Sequence, residues 1–233
     1  MSQKATLDTD LVRLADEAEL AYLRSLPLEH FMEATDHAKQ REITLASFAL
    51  IRESRPDIQC FNELLVQYTR GRRTTKFHGV VPDNMVVVHP EPIQAVGHFT
   101  IPLQPVGPFL MLEYVSKHHK SKDYKDNFNR YEQHLQVPYY LLFYPGKHHL
   151  TVYRMEEGVY EPIPPNDSGR LSIPELELEV GVLEGWARFW FRGELLPLPG
   201  VLLKRLNATL DQLEAAREEI ARLKEELSKR SSP

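Results

Sequence analysis

Two carboxylates in this chain of 233 residues sit where an ionised group is costly. Asp83 follows Pro82 and opens the apolar run NMVVV, and Glu113 interrupts FLMLEYV. A charge in such a place has to be paired, hydrogen-bonded or bound to a metal. If the two runs are neighbouring strands, Asp83 and Glu113 converge into an all-oxygen site. Such a site suits Mg2+ or Mn2+ with several retained waters. The plainer alternative is that Asp83 caps a turn and Glu113 pairs with a lysine at a sheet edge. Lys117, Lys120, Lys122 and Lys125 follow Glu113 closely, with His118 and His119 among them. An amine beside a bound cation could orient or deprotonate an attacking water, or offset phosphate charge. For each lysine the plainer alternative is a solvated loop or first helical turn. A second basic cluster, Arg70, Arg72, Arg73, Lys76 and His78, precedes Asp83. Together the clusters could form one positive face for a phosphate backbone, or the second could be no more than a charged hairpin turn.

Other chemistries find little support. Neighbouring residues on an extended strand point oppositely, so neither His118–His119 nor His148–His149 makes an obvious ligand pair. There is no HExxH helix, P-loop, GxGxxG fingerprint or GxSxG elbow. The single cysteine, Cys60, excludes a disulfide framework and reads as an inert core thiol. The formal net charge of -5 argues against a protein that coats nucleic acid through bulk charge. No apolar run approaches the roughly 20 residues needed to span a bilayer, and no secretory signal is visible at the start. A soluble, cytoplasmic protein without membrane attachment is expected.

The elements that must position these residues follow from periodicity. Residues 1–36 are acid-rich and hold a peripheral helix through Leu11, Leu14, Ala18 and Ala21, with Asp8 or Asp10 as its cap. A second helix fits 38–53. Strands are expected over 58–70, 84–88, 109–115 and 139–144, with an outer pair at 149–155 and 158–163. Tyr124, Phe128, Tyr131 and Leu135 mark a helix packed on the sheet. Trp186, Phe189, Trp190 and Phe191 could close one end of the core, although 166–200 is otherwise hard to assign. After PLPG at 197–200, residues 201–230 lack proline and glycine. Leu206, Leu210 and Leu213, then Ala216, Ile220, Leu223 and Leu227, form an apolar stripe with a phase shift at 213–216. This tail either pairs two subunits as a homodimer or packs on its own domain. The expected fold class is α/β (α+β), with a mixed central sheet flanked by helices and a coiled-coil-like C-terminal helix. Its divisions are 1–36, 37–198 and 201–230.

Taken together, VVPDNMVVV, FLMLEYVSK and DYKDNFNRYEQHLQVPYYLLFYPG resemble a family of restriction-endonuclease-like proteins abundant in cyanobacteria, within the PD-(D/E)xK nuclease-like superfamily. The resemblance covers about residues 30 to 195. It implies a core of helix, three-stranded meander, helix and strand, with Mg2+ or Mn2+ held at the sheet and DNA as substrate. The motif aspartate falls on Asp83 and the motif glutamate on Glu113. The superfamily lysine position is Val115, so the resemblance implies a relocated lysine: Lys117, Lys122 or Lys125. Glu42, read as an inward-capable carboxylate of the first core helix, best matches a further metal ligand, and Glu63 is second. Arg70, Arg72, Arg73, Lys76 and Lys120 would hold the nucleic acid. The expected activity is metal-dependent phosphodiester hydrolysis by a DNA endonuclease. The alternatives are a member that binds nucleic acid without cutting it, and a scaffold acting through the C-terminal helix.

Overall fold

A computed structural model describes residues 2–25, 35–70, 76–115 and 122–230. Residues 1–196 form one compact unit and residues 197–233 a second. The first helix, α1, runs Ser2–Ser25, so Asp8 and Asp10 lie inside it rather than at its cap. The second, α2, runs Thr35–Ser54. Strands β1 (Ile58–Asn62), β2 (Leu65–Thr69), β3 (Phe77–Val80), β4 (Asn84–Val88), β5 (His98–Thr100) and β6 (Leu110–Tyr114) follow. A crossover helix, made of π-helical turns at Lys122–Asn127 and Arg130–Leu135, leads to β7 (Tyr139–Tyr144), β8 (His149–Glu156) and β9 (Val159–Pro162). Strands β10 (Leu171–Ile173), β11 (Leu178–Leu183), β12 (Trp186–Phe191) and β13 (Glu194–Leu195) complete the unit. Helix α3, Pro199–Arg230, forms the second unit.

The main sheet has the order β1-β4-β6-β7-β8-β9. β1, β4 and β6 are an antiparallel meander, and β6 pairs parallel with β7 through the crossover helix. This is the helix, meander, helix, strand order that the resemblance implies. Every residue of β6 and β7 is buried. Burial on both faces is what their near-continuous apolar sequences require.

Helix α2 covers one face. Its buried residues Gln40, Ile43, Thr44, Ser47, Phe48 and Ile51 follow helical spacing along one stripe. Each of the apolar three contributes roughly 1.5–3 kcal/mol by leaving water. The polar members are satisfied: the Tyr114 hydroxyl hydrogen-bonds the Thr44 hydroxyl at 2.7 Å and donates to Asn84 Oδ1 at 2.6 Å. The crossover helix covers the opposite face. There Met85, Val87, Met111, Tyr131, Tyr140 and Leu142 share one apolar cluster.

The stretch 58–70 is two strands rather than one. Glu63 takes a left-handed conformation (φ 47°) and separates β1 of the main sheet from β2, the centre of a second sheet ordered β3-β2-β5. Its N–H donates to the Asp83 carbonyl at 3.2 Å, so the break lies beside the acidic motif. Helix α1 belongs with the second sheet. Gln67 donates to the Ala15 carbonyl at 2.8 Å and accepts from Thr100 at 2.7 Å.

The segment 166–200 forms a third sheet, β10-β11-β12-β13. Its hairpins turn on Glu184–Gly185 (φ 54°, 82°) and Arg192–Gly193 (φ 52°, 82°). Two successive positive φ values define the type I′ turn, which glycine at the second position favours. Gln40 ties this sheet to α2: it donates to the Ala187 carbonyl and accepts from the Ala187 N–H, both at 2.9 Å. No described helix is long and apolar enough to cross a membrane.

Candidate functional site

The antiparallel register of β4 and β6 pairs Asn84 with Leu112. One step further, Asp83 stands opposite Glu113. Glu113 faces the crossover helix, whose Asn127 and Tyr131 meet it, whereas Asp83, in the bend before β4, lies beside Arg41 of α2. Glu113 is also among the groups that act on the Asp83 carboxyl. The side chain of Asp83 keeps 20% of its surface exposed, whereas Glu113 is only 5% exposed. The pair therefore has one accessible side.

Each carboxylate is fixed separately. Asp83 Oδ2 accepts the Tyr114 N–H at 2.6 Å, and Arg41 Nη2 lies 3.7 Å from Oδ1. Arg41 also bonds Glu63 at 2.8 Å, bridging the two acids. Glu113 Oε1 accepts from Asn127 Nδ2 at 2.9 Å and from the Tyr131 hydroxyl at 2.5 Å. Burial, reinforced by Glu113, holds the Tyr131 phenol well above its usual range, so it remains a donor. Burial also raises Asp83, against the lowering effects of the Tyr114 N–H, His37, Arg41 and Glu113.

Asn127 is 4% exposed, and its Oδ1 is a buried acceptor without a hydrogen-bond partner. It belongs to the same amide that contacts Glu113. Two acids and an orphaned amide oxygen fit a hard divalent cation that retains waters. No group of three or more His, Cys, Asp or Glu side chains is assembled among the described residues.

The other expected site residues are distributed as follows. Glu42 is not turned inward: its side chain is 58% exposed and pairs with Lys39 at 2.9 Å, because the buried stripe of α2 runs through Gln40, Ile43 and Thr44 instead. Glu63 is near Asp83 through Arg41, with its side chain 54% exposed. Lys125 is exposed, and it lies two residues from Asn127, about half a helical turn from the face that meets Glu113. Lys122 is described only as backbone, at the start of the crossover helix. Lys117, Lys120, His118, His119, Arg72 and Arg73 lie outside the described residues. Val115 is buried in the apolar cluster. Cys60 is half-buried in β1, and burial pushes its thiol up to about 12.

Arg70 and Lys76 are exposed at the two ends of the β2–β3 connection. Burial lowers His78, and the charges of Arg70, Lys76, His134 and Arg130 lower it further. The ring of His134 stacks on Tyr68 at 6.0 Å. The hairpin and the crossover helix thus build one basic cluster. Tyr22 of α1 links it to the acids: burial raises its phenol, Arg130 opposes this, and Glu113 adds to it. Gly79 permits that approach, since a Cβ there would sit 3.0 Å from the Tyr22 ring. Asn127, Tyr131 and Arg130 were not legible as site residues. The helical spacing that marks Tyr131 as buried also puts position 127 one turn earlier on the same face, and that was the available signal.

A meander and a crossover strand flanked by helices, with two acids at neighbouring positions of the sheet edge, make the frame of the candidate site. The chain belongs to the Uma2 family, described as "Putative restriction endonuclease", whose pattern matches residues 31–183. A crystal structure of "a putative nuclease belonging to DUF820" from Anabaena variabilis is similar over 65% of this chain and 80% of that one, at 17% identity and a TM-score of 0.48. No curated protein matches the chain.

Proposed function

We propose that this protein hydrolyses phosphodiester bonds of DNA in a reaction that depends on Mg2+ or Mn2+. The observation that carries the reading is the placement of Asp83 beside Glu113 at a partly open sheet edge, with Asp83 Oδ2 on the N–H of the residue after Glu113. Two neighbouring carboxyl groups resist joint ionisation, and a divalent cation is the partner that permits it. Asp83 and Glu113 would hold the ion, with Asn127 Oδ1 as a neutral third oxygen. A bound ion supplies Lewis acidity toward the scissile phosphate and acidifies a water. The Tyr114 N–H and Arg41 orient Asp83, while Asn127 and Tyr131 orient Glu113. Arg70, Lys76 and Arg130 hold the nucleic-acid backbone through its phosphates. The amine that positions the attacking water comes from Lys117 or Lys122. Lys125 and Glu42 have no part in this reading.

The test is cleavage of plasmid DNA by the purified protein in Mg2+ and in Mn2+. The parent should cut, and Asp83→Ala and Glu113→Ala should each abolish cutting while circular dichroism stays native. Normal cleavage by both variants overturns the assignment.

A second reading is binding without cleavage. It is favoured by one observation: the crossover-helix side chains on Glu113 Oε1 are an amide and a phenol, and the residue two after Glu113 is the apolar Val115. Salt-sensitive DNA binding with no turnover in either metal would select it.

A further inference from the structure

Helix α1 is tied to the second sheet by a chain of hydrogen bonds whose directions are fixed from one end. Gln67, buried in β2, donates its amide to the Ala15 carbonyl at 2.8 Å, so its Oε1 is the atom turned to Thr100. The Thr100 hydroxyl lies 2.7 Å from that oxygen and 2.8 Å from Nδ1 of His98. A hydroxyl has a single hydrogen to give. It goes to Gln67 Oε1: giving it to His98 instead would leave two acceptors facing each other, and turning the amide over would set its oxygen against the Ala15 carbonyl. Thr100 therefore accepts from His98, and Nδ1 of that ring carries a hydrogen.

The other ring nitrogen, Nε2, stands 3.0 Å from Oδ1 of Asp16 in α1. With the hydrogen on Nδ1, a neutral ring turns the Nε2 lone pair toward a carboxylate. Only a ring with both hydrogens completes the chain, and it then adds an ion pair between β5 and α1. Glu19 of α1 adds negative charge on the same side, since a Cβ on Gly97 would sit 2.6 Å from its Oε1. The remaining ionisable groups of the adjoining elements are engaged elsewhere. Arg13 and Glu17 pair with each other, Tyr22 packs on Gly79, and Tyr68 of β2 lies against His78 and His134. The turn after β5, Ile101–Leu103, carries none. We infer that the contact between His98 and Asp16 is a proton-operated latch on the amino-terminal helix. It is closed while the ring holds both protons and opens as rising pH removes the second. What it secures is the seat of Tyr22 on Gly79, beside the basic cluster.

The test is amide hydrogen exchange of the full chain at about pH 5.5 and about pH 8, a span over which an imidazole changes charge. Peptides from α1 are read after correction for intrinsic exchange and against peptides from β6 and β7. Protection of α1 should fall about two- to fivefold at the higher pH, the span of a partly exposed ion pair. The Asp16 side chain is 60% exposed, so Asp16→Asn leaves the fold intact. Its amide meets either form of the ring, as acceptor or as donor, and the pH difference should vanish. Nitrogen NMR at the higher pH, with His98 assigned by its loss in His98→Gln, should find the hydrogen on Nδ1. Equal protection at the two pH values, a difference that survives Asp16→Asn, or a neutral ring with its hydrogen on Nε2 overturns the latch.

Discussion

Asn127 and Glu113 lie fourteen residues apart and are joined by a hydrogen bond of 2.9 Å, with the amide as donor and the carboxylate as acceptor. Removing the donor takes away one of the bonds that hold a buried acid. Asn127→Ala is expected to cost about 1–3 kcal/mol, read as a lower urea midpoint. If the amide oxygen is also a ligand, the same change weakens Mn2+ binding by calorimetry. Asn127→Asp separates the two roles: it should destabilise the metal-free protein further and bind Mn2+ more tightly.

Burial raises Asp83, and the sign of the consequence follows. The folded chain holds this proton more tightly than the unfolded chain. Its contribution is full below the ordinary carboxylate range and is lost as pH rises through the raised value. Metal-free Asp83→Asn should therefore lose less melting temperature than the parent between about pH 4 and pH 8. Cation binding must displace the same proton, so the Mn2+-induced rise in the parent's melting temperature should grow over that window.

Arg70 and Arg130 act on His78 and His134 together, which places them in one cluster. If that cluster holds phosphates, Arg70→Ala and Arg130→Ala should weaken binding of all DNA sequences alike. Each lost contact should flatten the plot of log affinity against log salt by about 0.9. An unchanged slope would remove these residues from the interface.

Gln40 satisfies both backbone groups of Ala187. Gln40→Ala orphans an N–H and a C=O in the interior and should cost roughly 2–4 kcal/mol. A fall in the urea midpoint at unchanged slope would show that stability, not compactness, was lost.

The centre of the main sheet was legible because β4, β6 and β7 are near-continuous apolar runs buried on both faces. Asp83 and Glu113 stood out for the same reason, as charges where the pattern had no room for them. The break at Glu63 was hidden. IQCFNELLVQYTR is apolar on both sides of it, and no glycine marks the left-handed residue. Glu42 misled because the composition of α2 is apolar around much of its circumference, so residue type did not fix the inward stripe. The third sheet was obscure because its strands are short and its I′ turns carry glutamate or arginine before glycine instead of the stronger asparagine or aspartate signal. Arg130 joins the basic cluster only through the packing of the crossover helix against a hairpin some sixty residues earlier, and no local pattern reports that.

Two contacts of the acidic site's scaffold come from beyond the family match at 31–183. Tyr22 approaches from the amino-terminal side and Ala187 clasps Gln40 from the carboxy-terminal side. A fragment trimmed to the family boundaries would carry both carboxylates but leave Gln40 bereft of its partner strand and Gly79 facing an empty niche. Grafting this core into another protein therefore calls for residues 2–196 as a whole.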